Sequence, residues 1–429
     1  MKAIKVVGAA FALYVLAGNP SALAQSGKND HWVGTWATAV VARPQGGPGA
    51  GQQPQPPPQG RGQAPPLNFN NQTLREIVHT SIGSDRVRVV LSNAFGTAPI
   101  SVGAANVALR QKEAAIVPSS ARALTFAGSP TTTIAAGAVA ISDPVSVAVP
   151  AFADLSIDIF LPGDTAALPS PLTMHNGALQ TSYVSTTGNH AGATELPVMT
   201  TTQAWFFLSR VEVTAPEQAG AVVVFGDSIT DGTRSTPDSN NRWPDFLAKR
   251  LMAQATSNRT SMMGVLNEGI AGNRVLSDGA GVSALARFDR DVLVQSGVTH
   301  VIVLEGINDL GLGGQSPPSA ADIIAGHRQL IERAHAHGLK VLGATLLPFE
   351  GTTFPGYYSP DKDARRQAVN DWIRTGKAYD GVVDFDMALR DPAHPSQLLS
   401  QFKADDNLHL TDAGYQAMAN VVNLALLRK

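Results

Sequence analysis

The sequence predicts an antiparallel β-sandwich or jelly roll over residues 25–215, followed by an α/β domain over residues 216–429. The second domain is expected as a three-layer α/β/α sandwich around a five-stranded parallel sheet. Three observations carry this. Between residues 73 and 213, strand-like runs with period-two alternation recur between turn signals, and no long helical period interrupts them. From residue 222 onward, short apolar strand runs alternate with helical stretches, the pattern of a parallel sheet. The 429-residue length also exceeds that of one ordinary domain.

Composition narrows the function. Thirty-two basic residues against 34 acidic ones leave a formal charge of −2, so no nucleic-acid surface or polybasic membrane patch is expected. Hydrophobic residues make up 44% of the chain, ample for buried cores. The absence of cysteine excludes disulfides, thiolate metal sites and a cysteine nucleophile.

At the N-terminus, Lys2 and Lys5 precede an apolar run over residues 6–17. Ala22-Leu23-Ala24 then supplies a small-x-small cleavage pattern, with Gln25 as the new terminus. Residues 1–24 therefore read as a signal peptide and the protein as exported, periplasmic or extracellular. No later stretch approaches the roughly 20 apolar residues of a spanning helix, so no stable membrane insertion is expected.

HWVGTWATAV (31–40) is a first strand anchored by Trp32 and Trp36. Residues 43–66 consist of Pro, Gly, Gln, Ala and Arg alone. Such a segment buries too little apolar surface to offset its ordering entropy, and it reads as a disordered insertion. RVRVVLSN (86–93) and LSIDIFLPG (155–163) alternate as half-buried strands do, and WFFLSRVEV (205–213) closes the region as a last strand.

After a short linker at 215–220 the pattern switches. Strands are expected at 222–225, 264–267, 301–305, 340–345 and 381–385. Helices are expected near 242–255, 283–295, 320–337, 360–377 and 411–427.

The ends of those strands carry the chemistry. VVVFGDSITDG (222–232) is a β-branched and aromatic run that stops at Gly226, Asp227 and Ser228. A serine there stands at the sheet edge where α/β sites form. Acyl transfer also needs a base, a group to orient it and donors for the oxyanion. DDNLHLTDAGY (405–415) offers His409, just before a helix capped by Thr411. Asp406 lies three residues earlier, able to turn back onto the imidazole, with Asp405 as its rival.

NEGIAGNR (267–274) places Gly269 and Gly272 after the second strand, where backbone N–H groups can bend into a site. LEGIND (304–309) places Asn308 after the third, where its amide can donate to developing negative charge. Each block alone is an ordinary turn. Together they set four chemical parts on one sheet edge.

From about residue 219 onward the chain resembles the SGNH (GDSL) hydrolase superfamily, whose four blocks bear Ser, Gly, Asn and His. The matches are FGDSITDG with Ser228, NEGIAGN with Gly272, LEGIND with Asn308, and DNLH with Asp406 and His409. All four occur in family order over about 210 residues. The resemblance implies a flavodoxin-like sheet of order 2-1-3-4-5 and a serine ester hydrolase needing no cofactor or metal. It also implies Ser228 as nucleophile, His409 as base and Asp406 as its orienter. The Ser228 N–H, the Gly272 N–H and the Asn308 side chain would form the oxyanion hole. Ile307 departs from the pattern, since many members carry a second small residue there. The N-terminal β domain followed by this catalytic half resembles secreted bacterial members that are arylesterases or acylhydrolases, some linked to xylan breakdown.

The substrate expected is a small acyl ester, acetyl-like, on a carbohydrate or similar alcohol. A lipid or aryl ester is the alternative, and a catalytically idle carbohydrate-binding protein a further one. His327, His335 and His337 are expected to face solvent from an amphipathic helix, and no zinc-ligand spacing accompanies them. His79, His175 and His190 read as structural or loop residues. PFEGTTFPGYY (348–358) brings four aromatics to the catalytic edge, as pocket lining or as loop packing.

Overall fold

A run such as Gly220–Gly226, apolar at every central position, is stable only where both faces of its strand are covered. The computed structural model describes residues 30–43, 68–168, 171–258 and 262–428, and places this strand inside a five-stranded parallel sheet. The expected signal peptide at 1–24 and most of the expected proline-rich insertion lie outside the described residues. Arg43, assigned to that insertion from sequence, instead ends the short strand Val41–Arg43.

The parallel sheet runs Met263–Gly269, Gly220–Gly226, Val298–Leu304, Lys340–Ala344 and Gly381–Val383, which is order 2-1-3-4-5. Alternate residues serve two cores. Val222, Val224, Ile302, Leu304 and Leu342 join Trp243, Leu247, Tyr415 and Met418 on one face. Val223, Phe225, Val301, Val303 and Val341 join Phe288, Val292 and Leu330 on the other.

The helices follow their caps. Ser319 and Asp322 form a capping box at the start of Ala320–Ala336. Ser359 caps Pro360–Thr375, with proline in the first turn where its missing N–H costs nothing. Thr411 caps Asp412–Val421 as the sequence suggested.

Several elements differ from expectation, among them the helix foreseen at 411–427, which ends at Val421 ahead of a 3₁₀ turn, Leu424–Leu427. The helix foreseen at 283–295 is a short α-helix, Ala284–Phe288, running into a π-helical turn, Asp289–Leu293. The last parallel strand stops at Val383, because Asp384 caps a new helix, Phe385–Leu389. The strand foreseen at 205–213 is two strands, Ala204–Phe206 and Leu208–Thr214, in different sheets. Phe207 between them has φ of +59°, a turn that breaks the extended run.

The strand-rich half is antiparallel throughout its main sheets. One carries Trp32–Ala37, Leu208–Thr214, Ser84–Ser92 and Val139–Ile141 in that order, with Val145–Val149 also on Ser84–Ser92. The other includes Val198–Thr202, Ser182–Thr187, Asn70–His79, Asp154–Asp164 and Ala104–Lys112 in order. Their inward residues, among them Val87, Val89, Leu91, Leu74, Ile157 and Ile159, share one core. That core is continuous with Val223, Phe225 and Val301 of the parallel sheet.

The seam between the halves covers an edge that would otherwise be open. Met263–Gly269 is the outer strand of the parallel sheet. Thr38 forms a parallel bridge to Asn267, and the Val265 N–H donates to Ser81 Oγ at 3.0 Å. Covering a sheet edge in this way blocks pairing with other chains. The backbones approach closely at Gly264, where any Cβ would collide with the Gly34 carbonyl. A cavity of about 30 Å³ at this seam is lined by Trp36, Trp205, Phe152, Gln180, Asp231 and Arg242. That volume suits one or two waters.

Candidate active site

The sheet's central strand delivers Ser228 to the first position of a one-turn helix, Ser228–Asp231. Asp227 caps this turn, its Oδ1 accepting from the Ile229 N–H at 2.9 Å. Gly226 must lack a side chain, since a Cβ would meet the Leu304 carbonyl and the Thr230 hydroxyl. Gly232, at φ of +96°, ends the turn in the left-handed region.

His409 Nε2 lies 2.9 Å from Ser228 Oγ, and His409 Nδ1 lies 2.8 Å from Asp406 Oδ2. Three side chains distant in sequence thus form one hydrogen-bonded chain. The carboxylate accepts at Nδ1, so that nitrogen carries the proton and Nε2 is left to accept from the serine hydroxyl. All three residues are at least nine-tenths buried.

The 405–409 loop folds back because Asn407 adopts φ of +53°, a conformation asparagine tolerates. Asp406 Oδ1 then accepts from the Leu408 and His409 N–H groups at 3.1 and 2.9 Å. Burial opposes ionisation of Asp406. The hydrogen bonds and charge of His409, with the two backbone donors, outweigh it and hold the carboxyl well below the usual range. Arg234 Nε adds a further bond to Asp406 Oδ2 at 3.0 Å. Asp405, the rival orienter, is exposed and pairs instead with Arg234 Nη2 at 3.4 Å.

The oxyanion candidates gather at the same edge. Gly272 takes φ of +82°, and Gly306, just ahead of Ile307–Gly311, takes φ of +123°. Among the described residues, neither the Ser228 nor the Gly272 N–H donates to a backbone carbonyl. Asn308 is buried, its Oδ1 accepts from the Tyr357 hydroxyl at 2.8 Å, and its Nδ2 has no partner among the described residues. Ile307 does not disturb this arrangement, because it packs into a small cluster with Phe349, Tyr357 and Leu408.

The acids beside these positions are structural. Asp309 accepts from the Val275 and Leu276 N–H groups at 2.8 and 3.0 Å, tying the Gly272 loop to the Asn308 helix. Burial nevertheless raises its pKa. Asp227 is fully buried, and burial pushes its carboxyl up to about 7, with the Asp309 charge adding to the effect.

Behind the strand ends, Arg287 is wholly enclosed. It donates to the Gly226 and Glu268 carbonyls, Asn273 Oδ1, Asp291 and Glu305, and its guanidinium lies 3.9 Å from the Phe225 ring centre. Burial drives Glu268 and Glu305 well above the usual carboxylate range, and the shared Arg287 charge offsets this only in part. Nothing in the sequence alone marked Arg287 as the strut beneath three of the four blocks.

The histidines sort differently from expectation at one position. His335 and His337 are exposed as foreseen, but His327 is fully buried against Trp372 and Tyr379. It hydrogen-bonds the Glu305 carbonyl at 3.0 Å, and burial lowers its pKa to about 4. Its helix presents it to the sheet because Ile323, Leu330 and Ile331 lie on the same face. His175, set aside as structural, ties the strand-rich half to the Ser228 turn. Its Nδ1 donates to the Ala39 carbonyl at 2.8 Å and its Nε2 faces Asp231 Oδ1 at 3.1 Å.

The 348–358 loop divides its aromatics. Phe349 and Tyr357 are buried packing residues, whereas Phe354 is 43% exposed with its ring centre 6.2 Å from that of His409. Among the described residues, no cluster of His, Asp and Glu suits a metal ion, and no helix is long and apolar enough to cross a membrane.

Residues 224–417 match the GDSL-like lipase/acylhydrolase family model. Among solved structures, a putative lipolytic protein of the G-D-S-L family from Desulfitobacterium hafniense is similar at 20% identity, over 49% of this chain and 99% of that one, with a TM-score of 0.36. The M. smegmatis aryl esterase is similar at 16% identity, over 47% and 95% of the two chains, with a TM-score of 0.38. A carbohydrate acetylesterase from Sinorhizobium meliloti is similar at 18% identity, over 48% and 99%, with a TM-score of 0.37. A search among curated proteins returned no significant match. Residues 224–417 therefore form a GDSL-like lipase/acylhydrolase domain, and the protein is a carboxylic ester hydrolase.

Proposed function

We propose that the protein is an exported serine esterase that removes small, acetyl-like acyl groups from carbohydrate or similar esters through an acyl-enzyme. The observation that carries the reading is the unbroken hydrogen-bonded chain from Ser228 Oγ through His409 to Asp406. In this mechanism Ser228 Oγ attacks the ester carbonyl carbon as its proton passes to His409 Nε2. Asp406 stabilises the imidazolium that forms.

The tetrahedral oxyanion is held by the N–H groups of Ser228 and Gly272 and by Asn308 Nδ2. On collapse the alcohol leaves with the proton from His409 Nε2. Water, activated by the same nitrogen, then releases the acid and frees Ser228.

Exposed Phe354, beside His409, offers an apolar surface on which a sugar ring of the leaving alcohol can stack. Residues 25–215 and 216–429 are read as two folded regions held in a fixed relation at the catalytic edge. The ties from His175 to Asp231 and from the Arg242 guanidinium to the Ala178 carbonyl support this.

The test is hydrolysis across a series of acyl chain lengths, together with acetylated polysaccharides. The expected result is highest kcat/KM on acetyl esters, with acetate released from polymer. A steady rise with chain length would replace this reading with that of a lipid acylhydrolase.

A further inference from the structure

Asn308 can serve an oxyanion only if its amide nitrogen, and not its oxygen, faces the reacting carbonyl. The two ends of an asparagine amide are nearly equal in size, so packing alone discriminates poorly between them. A hydrogen-bond donor on the far side does discriminate, and the structure contains one. The Tyr357 hydroxyl lies 2.8 Å from Asn308 Oδ1, within a fully buried contact. Burial raises the Tyr357 pKa well above its usual value, which keeps the hydroxyl protonated and able to donate.

The ring is held from several sides. Gly311, one turn after Asn308, has no side chain, and a Cβ there would collide with the Tyr357 ring itself. Phe349 packs edge-on against the same ring, with centres 5.9 Å apart. Lys362, almost wholly buried, donates to the Gly311 carbonyl at 3.0 Å and the Gly356 carbonyl at 2.7 Å. One ammonium thus clamps the helix bearing Asn308 to the loop bearing Tyr357. Among the described residues, Asn308 Nδ2 is left buried without a partner.

We propose that Tyr357 is a positioning residue of the oxyanion site, fixing the Asn308 amide so that its N–H bonds point at the developing oxyanion. The assignment rests on the reading of Asn308 as an oxyanion donor. An unpartnered buried N–H gains its acceptor only as charge forms on the carbonyl oxygen, so the benefit falls on the transition state and not on bound substrate. Tyr357 withdraws the amide oxygen from the site and polarises the nitrogen toward donation.

The experiment is a double-mutant cycle with steady-state kinetics on a soluble acetyl ester. Tyr357→Phe keeps the ring and its packing, and is expected to lower kcat by about 10-fold while KM stays within about twofold. In an Asn308→Ala background the same change is expected to cost nothing further. Binding of an alkyl boronic acid, which forms a tetrahedral oxyanion mimic on the serine, should weaken in Tyr357→Phe by a similar factor.

A wild-type kcat in Tyr357→Phe, an equal loss in the Asn308→Ala background, or a rise in KM alone would each overturn the assignment. Near-normal turnover in Asn308→Ala itself is the separate result that removes the oxyanion reading, and this inference with it. If Tyr357→Phe were too unstable for kinetics, Gly311→Ala, which displaces the ring and keeps the hydroxyl, supplies the second variant. Undiminished kcat there would also overturn the assignment.

Discussion

At the scale of single residues, the site combines a hydrogen-bonded relay with several carboxyls whose burial works against ionisation. Ser228→Ala removes the atom that the proposed acyl-enzyme needs and little else, because the side chain is small and sits on a capped turn. It should lower kcat by roughly 10⁴-fold or more at unchanged thermal stability. A serine-directed phosphonate should label the wild type at this residue, as peptide mass mapping would show.

Asp227 gives a different kind of expectation. Its folded-state pKa, about 7, lies above the unfolded value of about 4, so folding favours the neutral acid. Its stability contribution is therefore complete below about pH 4 and is lost as pH rises to about 7. An asparagine in its place would keep the cap to Ile229 and carry no charge. Thermal melts of Asp227→Asn and wild type should nearly coincide at about pH 4 and diverge toward about pH 8, with the variant the more stable. A constant gap across that range would show that Asp227 ionises normally.

At the scale of elements, the parallel sheet and the strand-rich half meet where two backbones need room. Gly264→Ala would drive a methyl into the Gly34 carbonyl, which cannot rotate away. Gly34→Ala would meet only the tip of Leu266, a side chain free to shift. The first change should cost about 1–3 kcal/mol and the second distinctly less. Denaturant midpoints would rank them, and equal costs would mean that the seam is looser than the structure indicates.

For the whole molecule, the strand-rich half is part of the same packing unit as the catalytic sheet. His31–Lys429 forms one compact unit, and its largest core runs from Val33 through Phe225 to Val341. A fragment beginning at Gln218 would uncover the outer strand Met263–Gly269 and the apolar side of that core. Such a fragment is expected to aggregate or bind an apolar dye strongly, and to lose turnover on polymeric esters. A soluble, monodisperse fragment with full activity would show the N-terminal half to be dispensable.

Local chemistry made much of this legible in the sequence. Four apolar residues ending at Gly-Asp-Ser specify a buried strand that delivers a serine to the surface, whatever packs around it. Thr411 and Pro360 marked helix starts because capping depends on a few neighbouring residues. The four blocks identified the edge on which Ser228, Gly272, Asn308, Asp406 and His409 meet.

Other features depended on contacts between residues far apart in the chain. Spacing and the DNLH block favoured Asp406 over Asp405, but the physical reason, the loop turn at Asn407 with the Arg234 contacts, lies in the tertiary structure. His327 reads as a surface residue until the helix face it shares with Ile323 is set against the sheet. Phe207 lies within a continuous strand pattern, and only the divergence of two sheets required its positive φ. Tyr357, Arg287 and His175 act across 49, 61 and 56 residues on Asn308, Gly226 and Asp231. No period or motif encodes such pairings, because they are set by where separate elements come to rest.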